Sequence, residues 1–176
     1  MAVVTAKYTK SGAGAKATIR YIQHRAGKEG ARVNRTLFGL DGAMGRLQAY
    51  RMIDCAENGS VFYRIIISPD PAQEDTKQDL RLRDVTEKTM LAFEDHIQKH
   101  IAWVGAVHAD HTHIRHVHVL AVVTGRMPAQ EFRTLPRALI QEATRETLTQ
   151  RRQLDQGQEG KSKEQEREEA AWERER

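Results

Sequence analysis

Two apolar, β-branched runs, IAWVGAVH at 101–108 and HVHVLAVV at 116–123, are separated by only seven residues. A gap that short cannot hold a crossover helix, so the runs must fold back as neighbouring antiparallel strands. Everything else in the chain has to pack around that hairpin. The stretch VHADHTHIRHVHV, 107–119, also holds five of the eight histidines: His108, His111, His113, His116 and His118. Residues two apart on a strand share a face. His116 and His118 therefore point one way, and Val117, Val119, Ala121 and Val123 point the other, toward a core. His108 ends the preceding strand and lies across from His116 or His118. Three imidazoles can then converge from two adjacent strands. His111 and His113 fall in the connection, where nothing fixes their direction.

Three other segments read as strands: 2–8, 35–39 and 60–68, the last (SVFYRIIIS) stopped by Pro69. Helical periodicity predicts helices over 15–25, 43–58, 74–99 and 135–154. The sum is an α+β chain: an antiparallel sheet of about five strands with helices packed on one side of it, and a metal site on two adjacent strands. Residues 1–150 form the expected domain. Residues 151–176, almost devoid of core formers, form a charged tail that is helical or disordered.

Charge is unevenly spread. Residues 1–51 carry ten Lys or Arg against two acids, Glu29 and Asp41, whereas 52–150 carry 11 against 14. A basic front end fits a polyanionic partner, because phosphate contacts dominate nucleic-acid affinity; a solvated basic surface is the plainer alternative. Cys55 is the single cysteine, which excludes an internal disulfide and a cysteine-based metal site. No apolar run is long enough to span a bilayer, and MAVVTAKYTK lacks a signal pattern. The expectation is a cytoplasmic protein without membrane insertion.

Three neutral nitrogens leave coordination positions open, which points to a catalytic rather than a structural metal. Such an ion can polarise a phosphoryl oxygen. Histidine donors suit Mn²⁺ or Zn²⁺ better than the oxygen-seeking Mg²⁺. The expected cofactor is a divalent ion, Mn²⁺ or Mg²⁺, with Zn²⁺ as a further option. Asp110, two residues after His108, can accept the second N–H of a ligating imidazole or approach substrate directly. The four tyrosines, Tyr8, Tyr21, Tyr50 and Tyr63, all precede the histidines. Tyr21 stands out, on a short helix in the basic segment beside a glycine-broken loop. An amphipathic tyrosine packing the edge of a helix would look the same.

These residues carry a resemblance. HADHTHIRHVHV resembles the third motif of the conjugative relaxases, nickases of the HUH superfamily: His108 and Asp110, a spacer, then His116, Val117 and His118. IRYIQHR resembles the first motif of Mob-type relaxases, with Tyr21, Ile22 and Arg25 matching. FYRIIISPD resembles the strand that lies between the two. The likeness covers about residues 1–125. It implies a palm-like sheet holding a metal on His108, His116 and His118, and cleavage of one DNA strand at a plasmid or mobile-element transfer origin. Tyr21 would attack the scissile phosphate and become linked to the 5′ end, with Asp110 orienting His108. Lys10, Lys16, Arg20 and Arg25 are candidate contacts to the DNA backbone. Single-stranded origin DNA, accessory relaxosome proteins and a coupling protein are the implied partners. In HUH replication initiators and transposases the nucleophile follows the histidine pair; no tyrosine follows it here, which fits the relaxase order.

Two other readings compete. A histidine-triad nucleotide hydrolase needs three histidines alternating with apolar residues, and Ile114 and Leu120 occupy the flanking positions. A two-histidine phosphoesterase needs two separate H-x-T/S motifs, which this chain lacks. From a different class, a non-catalytic DNA-binding accessory protein would carry the histidines incidentally.

Overall fold

The computed structural model describes residues 2–26, 30–31, 33–109, 114–125 and 131–174, with side chains of the last helix described for 137–158 and 160. The order of elements is β1 (Val3–Thr9), α1 (Gly12–His24), β2 (Leu37–Gly39), β3 (Gly42–Met44), α2 (Arg46–Asp54), β4 (Val61–Ser68), α3 (Leu82–Ile97), β5 (Ile101–His108), β6 (His116–Val123) and α4 (Glu131–Arg174). The strands form one six-stranded antiparallel sheet in the order β1-β4-β6-β5-β2-β3.

The sheet has one strand more than expected because the start of the supposed 43–58 helix is a hairpin. Gly42 takes a φ of +97°, open to glycine without strain, and turns the chain across Leu40 and Asp41 so that Gly39 pairs with Gly42. The helix starts later, at Arg46, where the Gln48 side chain accepts from the Gly45 N–H at 2.7 Å. The predicted 74–99 helix is also shorter, beginning at Leu82. Its would-be first turns are captured by carboxylates: Asp70 Oδ1 accepts from Ala72 N–H at 2.8 Å, and Asp75 Oδ1 from Leu80 N–H at 3.0 Å. Side chains that bond nearby backbone compete with helix in this way. At the other end of the chain, the charged tail is helical, continuous with the predicted 135–154 helix. Its Glu, Lys, Arg, Gln and Ala content favours that state.

Helices cover both faces of the sheet, not one. The central strands are apolar on both sides, as a sheet buried between two layers requires. On one face Val61, Tyr63, Ile65, Trp103, Val119 and Ala121 pack under α3 and α4, through Val85, Met90, Phe93, Ile140 and Leu148. On the other, Phe62, Val104, Ala106, Leu120 and Val122 pack under α1 and α2, through Ala15, Ile19, Ile22, Ala49 and Ile53. Gly105 lies opposite Phe38 on β2, whose ring stands 2.9 Å from where a Cβ would be; only glycine fits there. Between α3 and α4, Thr86, Thr89, Thr144 and Thr147 are buried, each donating its hydroxyl to the carbonyl four residues back. None of the described helices is long and apolar enough to cross a membrane.

Candidate metal centre

The hairpin register settles which histidines meet. His108 pairs directly with His116, and Ala106 pairs with His118. All three imidazoles lie on the sheet face covered by α1, at the end of the hairpin. Their ring centroids are 4.4 Å (His108–His118), 5.0 Å (His116–His118) and 5.3 Å (His108–His116) apart. One nitrogen from each lies within 4.8 Å of the others. Three nitrogens sharing one ion lie about 3.3–3.8 Å from one another, so the rings have to draw together by up to about 1 Å to share one.

Backbone carbonyls set the tautomers. His108 is buried, and its Nε2 lies 2.8 Å from the carbonyl oxygen of Ile22. A carbonyl only accepts, so the ring proton sits on Nε2 and Nδ1 carries a lone pair. That carbonyl is available because Ile22 lies in the last turn of α1, where backbone acceptors lack helical partners. His116 Nδ1 donates to the carbonyl of Ile114 at 3.1 Å, leaving Nε2 as its lone-pair nitrogen. His118 Nε2 is buried with no hydrogen-bond partner among the described residues. Burial, the two neighbouring histidines, Arg25 and Arg35 push the His118 pKa down to about 3, so the ring is neutral at physiological pH. Neutral imidazoles held by second hydrogen bonds are the form that ligates metals. The C-terminal end of α1, negative by its dipole, faces the same place and favours a cation.

Tyr21 stands beside this cluster. Its ring meets His118 edge-on, with centroids 6.1 Å apart and planes at 87°. The residue is half exposed, and the Arg25 guanidinium lies over its ring at 5.7 Å. α1 brings these groups together from one turn: Tyr21 and Ile22 face the hairpin, while Arg25 caps the helix through its N–H to the Tyr21 carbonyl at 2.8 Å. A cleft of about 730 Å³ opens from Tyr21 and His118 along α1. Its lining includes Thr5, Lys7, Thr18 and Arg64.

Of the four predicted DNA contacts, Arg25 alone reaches this centre. Lys16 points the other way, paired with Asp54 and stacked over Tyr50 on α2. Lys10 and Arg20 are exposed and do not line the cleft. Asp110 lies outside the described residues, as do His111 and His113. Three further cations border this region. Arg35 is buried and donates to the Arg25 carbonyl at 2.8 Å, bracing the end of α1. Lys7 and Arg64 lie on the cleft floor. Their alternation within 2–8 and 60–68 was readable, but not which helix would roof that face.

Comparison with models of known protein families and with curated proteins finds no match for this chain.

Proposed function

We propose that the chain is a relaxase: a metal-dependent, strand-specific DNA nickase and strand transferase acting on single-stranded DNA at a transfer origin in the cytoplasm. The observation that carries the reading is Tyr21 held edge-on against His118, within a triad whose tautomers leave nitrogens for an ion, at the mouth of a basic cleft. His108, His116 and His118 would hold the ion. Bound there, a divalent ion supplies Lewis-acid polarisation of the non-bridging phosphate oxygens.

The residues of the chain do the rest. The Tyr21 phenol oxygen attacks phosphorus; the bond from phosphorus to the 3′ oxygen breaks, and that oxygen leaves as a 3′ hydroxyl, taking up a proton as the phenol gives one up. The 5′ strand stays on Tyr21 as a phosphotyrosine. The phosphodiester count is unchanged, so joining is the reverse step and no nucleotide cofactor is consumed. Arg25, over the ring, balances charge developing at the transferred phosphate. The Ile22 carbonyl holds His108 in its ligating tautomer, the orienting task the resemblance gives to Asp110. Accessory relaxosome proteins and a coupling protein are the proposed partners.

The test uses end-labelled single-stranded oligonucleotides of randomised sequence with Mn²⁺, with and without chelator. A covalent adduct that maps to Tyr21, needs the metal and vanishes in Tyr21→Phe while DNA binding persists is the expected result. Cleavage surviving in Tyr21→Phe, with no adduct in the wild type, would instead mark a metal-activated water and a phosphoesterase. Binding without cleavage or metal dependence would mark an accessory DNA-binding protein.

A further inference from the structure

Lys7 and Arg64 are directly opposite each other on the adjacent strands β1 and β4. Like charges in that position repel and destabilise a sheet. Both side chains are exposed, and neither forms an ion pair among the described residues. Nor is relief close by in sequence: β1, β4, β6 and α1, the four elements that line the cleft, contain no Asp or Glu. The fold therefore concentrates two cations on a cleft floor and, among the described residues, pairs neither with an acid.

Their place relative to the histidines follows from the register. His118 pairs with Ile66, and Arg64 is two residues along β4 on the same face. Strand spacing and rise put the Arg64 backbone about 8 Å from that of His118 and the Lys7 backbone about 12 Å from it. The opposite wall is α1, which presents Gly14, Ala17 and Thr18, small side chains that keep the cleft open up to Tyr21. A charged chain lying in the cleft passes the two cations immediately before or after it passes Tyr21.

We propose that Lys7 and Arg64 are a phosphate clamp: they hold the backbone phosphate neighbouring the scissile one in a single DNA strand lying along α1, and so position the scissile phosphate at Tyr21. This rests on the nickase reading for the identity of the strand. Two cations held against their own repulsion are ready to take an anion between them, at a cost in stability that binding recovers. They are positioning residues, and they differ from Lys16, which is already paired.

The experiment is a salt titration of fluorescence anisotropy, with a labelled single-stranded oligonucleotide of randomised sequence and the same oligonucleotide as a duplex. Each phosphate contact to a single strand contributes about 0.7 to the slope of log affinity against log salt. Lys7→Gln with Arg64→Gln removes that one phosphate contact and is expected to lower the slope by about 0.7 and to weaken low-salt binding at least tenfold. Each single variant should lower it by about half as much, which serves if the double variant fails to fold. Lys7→Arg with Arg64→Lys is expected to restore it. The double Gln variant should also melt no lower than the wild type, because it removes a repulsion.

If the Gln variants keep the wild-type slope while the wild type still forms its Tyr21 adduct, the clamp is overturned and the nickase stands. Binding that depends on Lys7 and Arg64 without any adduct keeps the two residues as a phosphate-binding pair but overturns the nickase and, with it, their positioning role. Duplex bound as well as single strand, with the same dependence on the two residues, overturns the single-strand assignment. A wild type that binds neither overturns the proposal outright.

Discussion

The two faces of one sheet are built to different ends. The face under α3 and α4 is closed: Tyr63, Met90, Phe93 and Ile140 are almost wholly buried, and the four threonines between the helices satisfy their hydroxyls internally. The face under α1 and α2 begins in the same way, with Val104, Leu120 and Val122, and then stops being apolar. Toward one end it carries three histidines, and toward the β1 edge two cations. α1 packs over this end of the sheet and leaves the cleft beside it, and the histidines, Tyr21, Lys7 and Arg64 all border that junction. The open face carries like charges opposite each other at Lys7 and Arg64 and an unpartnered His118 Nε2, and the closed face carries one buried hydroxyl without a partner among the described residues, that of Tyr63.

That contrast can be broken by experiment. The largest effect belongs to the closed face. Phe93→Ala removes a fully buried ring and should cost about 3–5 kcal/mol, read as a fall in the urea midpoint, with no loss of metal or DNA binding per folded molecule. Comparable damage to binding would mean that the faces are not separable.

A smaller effect of opposite sign is expected at His118. His118→Leu removes a buried nitrogen that lacks a partner and should leave stability unchanged or raise it by about 1 kcal/mol, while metal binding, read by calorimetry with Mn²⁺, is lost. The same variant tests the pKa. In the unfolded chain His118 takes a proton at its ordinary value near 6.5, but in the fold not until about 3. Between those limits the unfolded state binds more protons, so wild-type stability rises with pH across the window. His118→Leu should lack that component, and an unchanged acid profile would count against the burial argument.

The smallest effect sharpens the comparison along α1 itself. Lys16→Ala breaks an exposed pair with Asp54 and should cost about 0–1 kcal/mol, leaving single-strand binding and its salt slope at wild-type values. A lowered slope would put DNA on the α2 side of the helix, away from the cleft.

Much of this was legible along the chain. The hairpin, the shared face of His116 and His118 and the placement of His108 across from one of them follow from the two-residue period of strands and a short connection; that His108 pairs with His116 is decided by the register. The errors have local physical causes. Gly42 and the carboxylates of Asp70 and Asp75 overrode helical periodicity by offering the backbone other conformations. The continuous apolar runs of β5 and β6 fit burial on both faces, whereas the order of strands and helices alone implies a helical layer on one.

The sequence by itself determined the candidate donors: three imidazoles at strand spacing, with a tyrosine and its basic neighbour on one helical turn. Tertiary structure decided what they meet. The contact between His108 and the Ile22 carbonyl spans 86 residues, and no periodicity encodes it. Nor does a pattern say that Tyr21 faces His118 while Lys16, on the same helix, faces Asp54, or that Lys7 and not Lys10 lines the cleft. Periodicity fixes which residues share a face. Which face is covered, and by what, depends on how whole elements pack against one another, and that is a property of the folded chain.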